Sequence, residues 1–96
     1  MLIIVAYDVN TQEAPGRKRL RRIGKACENF GQRAQKSVFE CVVDKEQWVV
    51  LRTSLLRIMN KEEDSLRFYF LDEEARKKTE HHGVAKPLDL DEPLLI

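Results

Sequence analysis

The chain has 96 residues, of which 43% are hydrophobic and 34% charged, and its formal net charge is +1. This length allows one domain with one modest core, and it excludes a multidomain enzyme with its own cofactor-binding fold. The longest apolar run, Met1 to Tyr7, is too short to cross a bilayer and lacks the flanks of a secretory signal. We therefore expect a cytoplasmic protein that has no membrane partner.

The first third of the chain predicts a strand followed by a helix. Leu2 to Ala6 form a continuous apolar run, which is typical of a strand covered on both faces, and the run leads into Asp8. A helix is predicted from about Pro15 to Phe30, with Gly31 as its stop signal. Its apolar residues recur at helical spacing and form an inner stripe: Leu20, Ile23, Cys27 and Phe30.

The middle of the chain predicts an extended segment, a second helix and another strand. Gln32 to Val43 is extended in character, either as one long strand or as two short strands hinged near Lys36-Ser37. Asp44 is a good N-cap for a helix from Lys45 to about Met59. The alternating segment Ser65 to Leu71 predicts the next strand.

This order of elements predicts an α+β fold, a ferredoxin-like βαββαβ domain over residues 1–78 with both helices on one face of an antiparallel sheet. The other face would carry Phe39 and either Phe68 or Tyr69, which is much apolar surface for a monomer to expose. We therefore expect a homodimer through the sheet. Residues 79–96 are expected to add an extra C-terminal strand and a tail that packs on the dimer partner.

Positive charge is concentrated between Arg17 and Lys36, where eight basic residues and one acid give a net charge of +7. Several of the basic residues fall on the helix face opposite the apolar stripe, and each like-charged i,i+3 or i,i+4 pair costs about 0.2–0.5 kcal/mol. A helix that tolerates this repulsion indicates an anionic partner, and a merely solvated face is the alternative. Nucleic-acid contacts are predicted at Arg17, Lys18, Arg19, Arg21, Arg22, Lys25 and Arg33.

The catalytic candidate is a single carboxylate, since the sequence has no Cys-x-x-Cys pair, glycine-rich phosphate loop or nucleophile elbow. Asp8 follows the first strand, and a turn-capping aspartate is the alternative interpretation. A twofold axis near the strand end would bring two Asp8 carboxylates together, and at about 4 Å they would repel by about 4 kcal/mol. Such a pair shares a proton or recruits a cation, and oxygen ligands favour Mg²⁺ or Mn²⁺.

Four segments together resemble one protein family. These are the strand ending in Tyr7-Asp8, the basic helix, the run Arg33 to Cys41, and the segment Asp64 to Tyr69. In order and spacing they resemble the CRISPR-associated Cas2 family, the smaller of the two core proteins of spacer acquisition. Glu80 to Gly83 and the ending Pro93 to Ile96 are similar to the branch that accompanies type I-C systems.

The resemblance implies a homodimer in which Asp8 of both protomers holds a divalent metal, with Tyr7 flanking the site and Arg33 and Phe39 on the strand near it. It implies a role in CRISPR adaptation with the larger integrase subunit. The implied activity is that of a metal-dependent endonuclease cleaving single-stranded RNA or double-stranded DNA. The alternatives are a non-catalytic DNA-binding scaffold that bridges integrase dimers and a toxin-like ribonuclease of the same fold.

Overall fold

Residues 1–84 are the part of the chain that the computed structural model describes, and they follow the predicted order of elements. The extended segment is divided at Lys36-Ser37 into two strands, which settles the alternative left open by the sequence. Residues 79–84 form neither strand nor helix, and the remainder of the predicted C-terminal strand and tail lies outside the described residues. The elements are β1 Leu2–Asp8, α1 Ala14–Glu28, β2 Gly31–Gln35, β3 Val38–Val42, α2 Lys45–Ile58, β4 Ser65–Leu71 and α3 Glu73–Lys77.

The four strands form one antiparallel sheet in the order β2-β3-β1-β4, which confirms the predicted ferredoxin-like arrangement. The N-terminal strand β1 lies in the interior of the sheet, where Leu2 is paired with Val42 on one side and Leu71 on the other. Pairing with β4 continues to the last residue of β1, where Asp8 is opposite Ser65. Asp8 is therefore held at the point where the backbone leaves the sheet.

The core lies between one face of the sheet and the two long helices. Ile3 and Val5 of β1 are fully buried there, together with Ile23 of α1 and Leu51 and Leu55 of α2. Alternate residues of β1 project to the other face of the sheet, as successive side chains of a strand do. The continuous apolar run thus serves two surfaces, one covered by α1 and α2 and one that these helices leave open.

We call this second surface the open face. Its only charged side chains within β1, β3 and β4 are Asp8, Glu40 and Arg67, and its apolar members include Tyr69 and Val42, each 44% exposed. The strand register assigns to it Leu2, Ile4, Ala6, Asp8, Val38, Glu40, Val42, Ser65, Arg67, Tyr69 and Leu71.

The aromatic residues assigned to this face from the sequence require a correction. Phe39 is fully buried on the helix-covered face, opposite Val5, and Phe68 packs against Trp48 on the same side with ring centroids 4.8 Å apart. Of the three aromatic residues considered, Tyr69 is the one on the open face. Alternation along a strand separates two faces but does not say which is inner, and here pairing with β1 decides it.

Local signals explain the helix boundaries. Asp44 and Gln47 form a capping box at the start of α2, in which each side chain accepts a hydrogen bond from the other residue's backbone N–H, at 2.7 and 2.9 Å. Gly31 begins β2 rather than terminating α1, and a Cβ at this position would overlap the Glu40 carbonyl oxygen.

No helix within residues 1–84 is long and apolar enough to cross a membrane.

Candidate functional site

Asp8 ends β1 with its side chain exposed on the open face. None of the ion pairs within residues 1–84 includes it, so its charge has no partner there. The same residues contain no group of three or more His, Cys, Asp or Glu side chains that could hold a metal ion. One protomer therefore offers one available carboxylate at this point rather than a complete cation site.

Tyr7, Phe39 and Arg33 lie on the other side of the sheet from Asp8. The Tyr7 and Phe39 rings stack with centroids 6.3 Å apart, and the Arg33 guanidinium carbon lies 4.6 Å from the Phe39 centroid. Successive residues of a strand point to opposite faces, so both rings point away from the face that bears Asp8, and the supporting roles of Tyr7 and Phe39 at a metal site stay predictions. In this protomer the two aromatic rings belong to the core.

Arg33 is engaged with its own protomer, although its side chain is 41% exposed. Its guanidinium donates to the Lys36 carbonyl and to the Tyr7 hydroxyl, and it lies 3.5 Å from the Glu28 carboxylate. Burial raises the pKa of Tyr7, and the positive charge of Arg33 opposes that rise. Arg33 thus joins the end of α1 to the β2–β3 turn, and its predicted contact with nucleic acid stays a prediction.

The exposed cations of α1 form a basic surface that points away from the sheet. Ile23 and Cys27 of the helix are buried in the core, as the predicted stripe requires, and the cations occupy the outer side. The single acid of the helix, Glu28, is paired with Arg33. Within residues 1–84 none of these cations forms an ion pair, so their mutual repulsion is uncompensated. We define the α1 basic face as Arg17, Lys18, Arg21, Arg22 and Lys25, all exposed.

Arg19 does not belong to this surface, although its sequence position suggested a nucleic-acid contact. Its Nε and Nη2 atoms donate to the two oxygens of Asp64, at 2.7 and 3.1 Å, and its side chain is only 15% exposed. Burial of the Asp64 carboxyl opposes its ionisation, but hydrogen bonds from Arg19 and from the Asn60 and Asn10 N–H groups dominate and lower its pKa. Sequence reasoning gave the Asp64 side chain no role of its own, although the segment Asp64 to Tyr69 carried part of the family resemblance, because its partner Arg19 is 45 positions away.

The two candidate features lie on opposite sides of one protomer. Asp8 projects from the open face, whereas α1 covers the other face and presents its basic residues outward. A single protomer therefore does not place the exposed cations around the carboxylate. The α1 basic face and the Asp8 carboxylate are thus separate features of the protomer.

Residues 1–79 match a protein-family model described as CRISPR associated protein Cas2. The chain belongs to this family. It is 54% identical to the CRISPR-associated endoribonuclease Cas2 of Chlorobaculum tepidum and 46% identical to the CRISPR-associated endonuclease Cas2 of Halalkalibacterium halodurans, over all of both chains in each case. The crystal structure of Streptococcus pyogenes Cas2 superposes with a TM-score of 0.77 at 43% identity, covering 86% of this chain and 100% of that one. The predicted membership of the Cas2 family is thus confirmed.

Proposed function

We propose that this Cas2 protein is a metal-dependent endonuclease of CRISPR adaptation that acts as a homodimer joined through the open face. The observation that carries the proposal is the unpartnered Asp8 carboxylate at the end of β1, on a surface with exposed apolar side chains. Tyr69, Val42 and Leu71 are each more than 40% exposed there. Apolar surface of this kind on a small domain is typical of an interaction site.

The donor chemistry fits Mg²⁺ or Mn²⁺ when two copies are combined. One protomer gives one carboxylate, and a twofold axis near the end of β1 would bring Asp8 of a second copy beside it. Carboxylate oxygens supplemented by water are the ligands that these ions prefer. When bound, the metal supplies a water of lowered pKa and neutralises charge on a phosphate.

The remaining tasks fall to the chain's own residues. Asp8 holds the ion on the open face. The α1 basic face, on the other side of each protomer, binds a separate part of the sugar–phosphate backbone, which fixes position without reading sequence. The names of the relatives, endoribonuclease in one case and endonuclease in another, support cleavage of nucleic acid. We propose single-stranded RNA or double-stranded DNA as the substrate. We further propose the CRISPR integrase subunit as the partner in adaptation, and a place in the type I-C branch from the segment Glu80 to Gly83.

The test is a cleavage assay on duplex DNA and single-stranded RNA in Mg²⁺, in Mn²⁺ and in EDTA. The variants are Asp8→Asn and a matched control, Glu62→Gln, which neutralises an exposed carboxylate in the loop before β4. We expect metal-dependent cleavage that falls more than about 100-fold in Asp8→Asn, a larger loss than removal of an outer-shell partner causes. The control should cleave like the wild type. Cleavage that survives in Asp8→Asn, or that persists in EDTA, would contradict the proposal.

A second function is favoured by the separation of the α1 basic face from Asp8. A protein that binds DNA on its outer helices needs no carboxylate on its open face to do so. It could act as a non-catalytic scaffold that bridges integrase dimers. In that case the wild type cleaves nothing with either metal, and Asp8→Asn retains both salt-sensitive DNA binding and spacer acquisition in cells. Loss of acquisition in Asp8→Asn would exclude the scaffold function.

A further inference from the structure

The backbone that follows Asp8 is held by a buried carboxylate from a distant part of the chain. Hydrogen-bonded pairing of β1 with β4 stops at Asp8 and Ser65, so the sheet itself does not fix the loop beyond. The neighbour of Ser65, Asp64, accepts a hydrogen bond from the N–H of Asn10 at 3.3 Å. This bond joins the residue before β4 to the residue two positions after Asp8.

Each of the two oxygens of the Asp64 carboxylate accepts two hydrogen bonds. Oδ1 accepts from the Asn10 N–H and from Nη2 of Arg19, and Oδ2 accepts from the Asn60 N–H and from Nε of Arg19. The Asp64 side chain is 0% exposed. One group therefore fixes the β1–α1 loop, helix α1 and the α2–β4 loop relative to one another.

The loop is also constrained from its other side. A Cβ at position 16 would overlap the carbonyl oxygen of Asn10, so Gly16 allows α1 to pack directly against this peptide. The Asn10 side chain accepts a hydrogen bond from the N–H of Gln12 at 3.0 Å and closes the turn. Asn10 is thereby held between α1 and Asp64, and the end of β1 is held with it.

Stability alone does not account for a charged pair at this position. Removing two charges from water is costly, and apolar residues of similar volume are often equally stabilising or better. A bidentate arginine–carboxylate pair does, however, fix direction as well as distance. A cation site built from one Asp8 carboxylate per protomer depends on the direction in which β1 ends, since a small displacement of Asp8 in each protomer separates the two ligands.

We propose that Asp64, held by Arg19, is a positioning residue that fixes the end of β1 so that Asp8 is directed toward its symmetry mate. The inference rests on the proposed metal site. It assigns Arg19 to the support of that site rather than to nucleic acid. Replacement by asparagine keeps the shape of Asp64 but puts an NH₂ group in place of one oxygen, where it faces two N–H groups that donate to the carboxylate.

The experiment measures binding of Mn²⁺ by electron paramagnetic resonance of the free ion, with no nucleic acid present. The variants are Asp64→Asn and Asp8→Asn, together with a matched control, Asp44→Ala, which removes a carboxylate that accepts a backbone N–H at the distant start of α2. All are compared at a temperature where circular dichroism shows them folded. Arg19→Lys is the milder second variant if Asp64→Asn does not fold, because it retains the charge but loses the fork of donors.

We expect the apparent Kd for Mn²⁺ to rise about 10–100-fold in Asp64→Asn, as for loss of an outer-shell partner, and to rise less in Arg19→Lys. It should remain within about twofold of the wild type in Asp44→Ala, and binding should disappear in Asp8→Asn. Amide hydrogen exchange at Asn10 or at Asn60 should accelerate in Asp64→Asn and not in Asp44→Ala, since both N–H groups donate to the Asp64 carboxylate and the asparagine has only one oxygen to accept them.

The outcomes separate this inference from the proposed activity. Wild-type protein that binds Mn²⁺ through Asp8 yet cleaves nothing defeats the endonuclease proposal, and the rise in Kd then still supports positioning by Asp64. An equal Kd in Asp64→Asn and wild type, or an equal shift in Asp44→Ala, overturns the positioning inference alone. Absence of Asp8-dependent Mn²⁺ binding in the wild type overturns both.

Discussion

The α1 basic face allows a quantitative prediction about nucleic-acid binding. Arg21 and Arg22 are exposed on α1, and neither forms an ion pair within residues 1–84. Replacing both with glutamine removes two positive charges, and arginine and glutamine have similar helix propensities, so α1 itself is retained. The double variant Arg21→Gln/Arg22→Gln therefore tests contacts rather than folding.

The magnitude follows from counterion release. Each phosphate neutralised on duplex DNA contributes about −0.9 to the slope of log K against log salt, so two lost contacts reduce its magnitude by about 1.8 for each protomer that touches the duplex. With one protomer in contact, the wild type should lose about 12-fold more affinity than the variant between 50 and 200 mM salt. If the wild type and the variant bind equally at 1 M salt, the variant should bind about 30-fold more weakly than the wild type at about 150 mM salt.

Fluorescence anisotropy with a labelled duplex across a salt series measures both quantities. The matched control is Arg52→Gln/Arg57→Gln, which removes the same charge from exposed positions on α2. The control should retain the wild-type slope. An unchanged slope in the α1 variant would refute the assignment of nucleic-acid binding to this face. Equal losses in both variants would show that net charge, and not contact, determines affinity.

Three further predictions concern the core and the buried charge. Phe39→Ala should lower the free energy of unfolding in urea by about 3–5 kcal/mol, because it empties a fully buried site, and a loss below about 1 kcal/mol would contradict that packing. Burial raises the pKa of the thiols of Cys27 and Cys41 to about 12, so Ellman's reagent at pH 8 should label native protein only as fast as it unfolds, and rapid labelling would oppose this. Because the folded-state pKa of Asp64 lies below its ordinary value, its contribution to stability is complete above about pH 4 and is lost as the pH falls through the lower value. The free energy of unfolding of the wild type should therefore fall more steeply in acid than that of Asp64→Asn. Parallel plots of stability against pH would contradict a lowered pKa of Asp64.

Local sequence signals predicted much of the fold because they act over a few residues. The alternation of Ser65 to Leu71 defined β4 with the boundaries that the structure has, and Asp44 marked the start of α2 through its capping box. The buried stripe and the exposed cations of α1 followed from helical spacing alone. Each of these features depends on neighbours within one turn or one strand, which a sequence displays directly.

The features that sequence reasoning missed depend on partners in other elements of the fold. Phe39 was placed on the wrong face because its direction is decided by pairing with Val5, far earlier in the chain. Asp64 gave no local signal because its partner Arg19 is 45 positions away. Gly31 was interpreted as a helix stop, whereas it is required by the approach of the Glu40 backbone from the next strand. Packing between different elements, rather than propensity within one element, determined all three.

The interior position of β1 has a consequence for synthesis of the chain. β1 is made before the other three strands, but Leu2 finds its last partner only at Leu71, so the sheet cannot close until β4 has been made. Contacts this distant in sequence slow folding, since a long loop must close before they form. Throughout that interval an apolar segment is exposed on an unpaired edge, which is where nascent chains aggregate. Pairing with β4 is thus the step that covers the edge of the strand bearing Asp8.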